Sequence, residues 1–127
     1  MLVEFDLRMF VKDSSIEKVD SILVRPTRRS KDNDGVHRLF WEIQSYTGVV
    51  FEEGLKEAAA AAVQLLRPLD VVNEFDPTLW CVVHSENEFF GLALETSLME
   101  FFATNGLCLV ISVYTDFPSI SAASTPA

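Results

Sequence analysis

Residues 2–11 read LVEFDLRMFV. Val3, Phe5, Leu7, Met9 and Val11 share one parity, and Glu4, Asp6 and Arg8 share the other. Successive side chains of a strand point to opposite faces, so this is the pattern of a half-buried strand. One face meets a core and the other meets water. A sheet built on such a strand needs a second layer to cover its apolar face.

The sequence that follows supplies that layer. Ser14-Ser15-Ile16-Glu17 predicts a capping box, with Ser14 as N-cap and Glu17 three residues on. The short helix behind it presents Ile16, Val19, Ile22 and Leu23, and Pro26 ends it. Asn33-Asp34-Gly35 is a turn signal. A second strand is expected at 37–45, with Leu39, Trp41 and Ile43 inward and Arg38, Phe40, Glu42 and Gln44 outward. From 50 to 66 the stripe Leu55, Ala59, Ala62, Val63, Leu66 is helical, and Pro68 stops it. A strand at 79–85 and a tight turn at Glu86-Asn87-Glu88 lead into a hairpin strand at 89–94. Thr96 or Ser97 caps a third helix, which Asn105-Gly106 closes. The last strand, 107–114, is apolar on both faces, which predicts a central position. The expected order is β-α-β-α-β-β-α-β. The fold class is α+β in two layers, with helices on one face of a mixed, mainly antiparallel sheet and a ferredoxin-like tendency. One domain is expected over 1–116, followed by a polar, flexible tail at 117–127.

Composition narrows the function. The chain has 127 residues, 49% of them hydrophobic, which excludes global disorder. Its apolar runs fall far short of the roughly 20 residues a membrane helix requires. A net charge of −9 argues against nucleic acid, whose phosphates demand a basic surface. That charge is one-sided. Residues 1–67 hold all 10 Lys and Arg against 11 acids, a net of −1. Residues 68–127 hold no Lys or Arg and 8 acids, a net of −8. Such a surface suits a basic partner. The exception is Arg25, Arg28, Arg29 and Lys31, four cations in one short segment read as a loop that could hold an anionic ligand, with Asp32 and Asp34 following.

No catalytic motif is present. GxSxG, the P-loop and GxGxxG are missing from the sequence. Two His and two Cys give no metal-ligand spacing, and Cys81 and His84 fall on opposite faces of a strand. Neither metal nor cofactor is expected, and the paired carboxylates show no pocket that would split their pKa values. Cys81 and Cys108 read as buried free thiols of a reducing cytoplasm, with a disulfide left open if two strands place them side by side. The opening residues have no secretory pattern, so a cytoplasmic location is expected. Exposed aromatics among acids suit an interface anchor, and Phe40, Phe89 and Phe90 are the candidates.

The chain resembles the bacterial DUF4279 family over about residues 3–116. The resemblance rests on the opening strand, the segment SSIEKVDSILVRPTRRS, the Trp41 strand, the helix ending Leu65-Leu66-Arg67-Pro68, and FFATNGLCLVISVY at 101–114. Ser112 stands where the family often has an acid two residues before the final Tyr114, and the glycine after Pro26-Thr27-Arg28 comes late, at Gly35. The resemblance implies an immunity protein that neutralises a toxin, without catalytic residues. The expected partner is thus a toxin with a basic surface, met by Glu86, Glu88, Phe89, Glu95 and Glu100. The alternatives are an anionic-ligand domain using Arg25–Lys31 with Trp41, and an acidic mimic of nucleic acid. The oligomeric state is not legible.

Overall fold

The computed structural model describes residues 2–47, 51–69, 75–86 and 92–115, with backbone alone at 45–47. Its elements are β1 (Leu2–Lys12), α1 (Asp13–Ile22), β2 (Arg28–Lys31), β3 (Val36–Thr47), α2 (Phe51–Leu66), β4 (Thr78–Ser85), α3 (Thr96–Thr104) and β5 (Cys108–Thr115). The strands form a sheet in the order β2-β3-β1-β4-β5. Pairs β2/β3, β3/β1 and β1/β4 are antiparallel, and β4/β5 is parallel. The first six elements therefore follow the split β-α-β plan of a ferredoxin-like sheet, and α3–β5 adds one parallel strand at its edge.

The alternation of β1 sets the core. Val3, Phe5, Leu7, Met9 and Val11 are all buried. Opposite them stand Leu39 and Trp41 of β3 and Leu79, Cys81 and Val83 of β4. The helices cover this face. Phe51 of α2 meets Phe5 at 6.4 Å between ring centres. Ala58, Ala59 and Ala62 are fully buried, so their small side chains let α2 lie close on the sheet. Leu98 and Phe102 seat α3 in the same cluster, beside Leu109 and Ile111 of β5. A bulge at Phe5/Asp6 leaves Ile43 as the extra residue of β3, half-buried against the core.

Four expectations change. First, the Arg28–Lys31 segment is a strand. Three of its four residues are charged, so it shows no apolar alternation, and its pairing with β3 is what makes it a strand. Second, the described end of the expected hairpin strand at 89–94, Leu92–Leu94, is not a strand. Residues 87–91 lie outside the described residues, and both edges of β4 are already taken by β1 and β5. Third, β5 is an edge strand and β1 is central. Fourth, the capping box does not form: α1 starts at Asp13 after Lys12 and has no side-chain cap, and Glu95 precedes α3 likewise uncapped.

Two glycines keep their expected roles. Gly106 (φ 62°) closes α3, and Gly35 (φ 78°) turns β2 into β3. A Cβ on Gly35 would also stand 2.8 Å from Asp13 Oδ2, so the turn and the β1–α1 junction are fitted together. The Pro26-Thr27-Arg28 turn has a clear job. Thr27 donates its amide to the Phe40 carbonyl (2.8 Å), and its hydroxyl accepts the Glu42 amide (3.0 Å). Trp41 Nε1 donates to the Val24 carbonyl at 3.0 Å, which ties the same segment to β3.

Candidate functional site

The helices leave the second face of the sheet uncovered by any described element. It carries Glu4, Asp6, Arg8, Phe10 and Lys12 of β1, Arg38, Phe40 and Glu42 of β3, and Trp80 and His84 of β4. Arg8 organises it. Its Nε donates to Asp6 Oδ1 at 2.6 Å. Its guanidinium lies 4.0 Å from the centre of the Trp80 ring and 5.2 Å from that of Phe40. Arg28 stacks on Phe40 at 4.9 Å. The result is a ladder across four strands, Arg28–Phe40–Arg8–Trp80, in which each cation shields an aromatic face from water. Phe40 is therefore outward as expected, but it is half-buried beneath two guanidiniums. These rings are not free to stack on a base. Sequence reasoning named Phe40 and missed Arg8, Asp6 and Trp80. Their outward parity was visible, but the pairing that sets them side by side was not.

The four expected cations do not converge. Arg28 opposes Phe40 on the open face, while Arg29 opposes Leu39 on the helix side. Arg29 pairs with Asp20 of α1 at 3.1 Å, and Lys31 pairs with Asp13 at 3.2 Å. Arg25 is exposed. Strand alternation thus divides the group between two faces, and two of its members are already neutralised.

Asp13 gathers His37 Nε2 at 2.5 Å and Lys31 on one carboxylate oxygen. These bonds, the His37 contact first and Lys31 second, hold the Asp13 carboxyl below its ordinary range. Asp32 is lowered as well, first by the Val36 amide and also by that of Asp34. A depressed carboxyl stabilises the fold above its unfolded pKa of about 3.9 and stops doing so as pH falls through the lower folded value. Asp13→Asn should therefore lower the urea midpoint at pH 7, and the gap to the parent chain should close below about pH 4. A gap that stays constant down to the most acid point would remove this role from Asp13.

Of the acidic candidates, Glu86 and Glu95 lie at one end of the molecule. Lys56 of α2 reaches Glu95 at 3.1 Å, which places the start of α2 beside the start of α3. Leu2 pairs with His84, so the start of β1 and the end of β4 lie at this same end. Glu4, Glu53, Glu86 and Glu95 are exposed there, and Glu52 is half-exposed. Among residues 2–7, 51–57 and 85–104, Lys56 is the only Lys or Arg. His84 stacks on Tyr114 (5.7 Å) and approaches Glu4 (3.5 Å). Glu100 is exposed midway along α3. Glu88 and Phe89, with Phe90, lie outside the described residues.

Cys81 is buried in the core, where desolvation pushes its thiol up to about 12, the range of an inert packing residue. Cys108 is exposed on the other face, which corrects its expected burial and rules out a bond between the two. No group of three potential metal ligands is found among the described residues. An open cleft of about 280 Å³ between α2 and α3 is lined by Ala60, Ser97, Leu98, Phe101 and Lys56, and its one charge already belongs to Glu95.

Comparison with known proteins gives no match to a family model, a curated protein or a solved structure. No helix of the described residues is long and apolar enough to cross a membrane.

Proposed function

We propose that this chain is a non-enzymatic binding protein of the immunity type, which neutralises a toxin domain by covering a basic surface. The observation that carries the reading is the acidic end, where Glu4, Glu52, Glu53, Glu86 and Glu95 gather and the one Lys or Arg among the described residues there, Lys56, is already paired with Glu95. A field of one sign at one end steers an oppositely charged partner into register and speeds its association. The resemblance to DUF4279 supports the same reading and supplies the partner class.

The test is co-expression with any candidate toxin domain encoded beside the gene, followed by binding kinetics. Protection and a complex are expected. Changing Glu86 and Glu95 together to Lys should slow association on the order of tenfold at low salt and leave dissociation less affected. Raising the salt should erase most of that difference. An association rate unchanged at low salt would exclude this surface. Failure to form any complex would exclude the partner class.

A further inference from the structure

β5 has the composition of an interior strand and the position of an edge. Its residues CLVISVYT carry no charged side chain, and they are apolar or small on both faces. The other edge of the same sheet is built differently. β2 is four residues long, with Arg28, Arg29 and Lys31 on it and Pro26 just before it. Short, charged edges resist pairing with another strand, whereas long, uncharged ones invite it.

Among the described residues, nothing pairs with the outer edge of β5. The Cys108 amide donates inward to Pro77. In a parallel pair, alternate residues address the neighbouring strand. Leu109, Ile111 and Val113 therefore turn their amides outward, where they have no partner among the described residues. The helix above shows a matching flank. Leu98 and Phe102 of α3 face the core, and Phe101 faces the cleft beside α2. Helical spacing then places Met99 and Ala103 on the side away from α2, beyond β5. Met99 is 49% exposed, and Val113 and Tyr114 at this edge are 41% and 56% exposed.

From this juxtaposition we infer that β5 pairs with β5 of a second copy, antiparallel about a two-fold axis, to form one continuous ten-stranded sheet. The occupant follows from complementarity. A two-fold axis sets an uncharged strand against itself, so no like charges meet along the pairing. It lays Met99 and Ala103 of one α3 beside the same residues of its mate. It also sends the two acidic ends to opposite ends of the dimer, the arrangement that two chains of net charge −9 require. In that assembly β5 is central, as its composition demands.

The experiment is sedimentation of the full chain across a concentration series, with hydrogen exchange on the same samples. The expected result is a two-fold rise in mass, with the amides of Leu109, Ile111 and Val113 slowing as the dimer forms. Val113→Lys and Met99→Lys, on different elements, should each raise the dimer dissociation constant by about tenfold or more. Circular dichroism will show that each variant is folded. A chain that stays monomeric at every concentration, a dimer that survives both substitutions, or slowed exchange at β5 only when another protein is added would each overturn the proposal.

Discussion

Leu7→Ala should destabilise the fold by about 4 kcal/mol, near the middle of the range for opening a cavity in a core. Leu7 is fully buried in the central strand, with Trp41 opposite it on one side and Leu79 on the other. Hydrogen-bonded strands on both sides and the packed helix layer above hold the cavity walls apart, so the site cannot collapse onto the missing atoms. Urea unfolding checks this: the midpoint should fall with the slope unchanged. Ile22→Ala is the control, because Ile22 lies at the exposed end of α1 and should cost less than about 1 kcal/mol. Equal losses at the two positions would mean that the helix layer does not seat on β1 as described.

Arg8→Ala should cost about 2 kcal/mol, an unusual loss for a residue on an uncovered face. The substitution removes two ring contacts and an ion pair at once, and it leaves Asp6, only 15% exposed at its side chain, without its partner. Arg8→Lys should recover less than half of the loss, because an ammonium cannot lie flat between two rings while donating sideways to a carboxylate. Thermal or urea unfolding of both variants decides the matter. Full rescue by Lys would reduce the ladder to simple charge pairing.

The fold was legible wherever periodicity was strong. The parity of β1 names its buried residues, and the stripe through Leu55, Ala59, Ala62 and Leu66 marks α2 and its buried side. The Gly35 and Gly106 positions declare their turns. What was hidden depends on pairing. β2 carries no apolar signal, and only its registry with β3 makes it a strand. β5 looks central because local sequence reports the chemistry of two faces but not the presence of two neighbours. The site divides the same way. The charge asymmetry could be counted from the sequence, whereas the splitting of Arg28 from Arg29 and the gathering of Asp6, Arg8 and Trp80 required the sheet.

The central place of β1 also governs how the chain must be made. Its two neighbours, β3 and β4, lie on either side of it in space but far apart in order of synthesis. A ribosome delivers β1 first, then β3, and completes β4 only after the whole of α2 has emerged. During that interval β1 holds an apolar face without its full cover and one row of amides and carbonyls without a mate, the condition in which nascent chains misassemble. Contacts this distant along the chain also slow the closing step. The strand that organises the finished sheet is the one a growing chain must keep from pairing with a stranger.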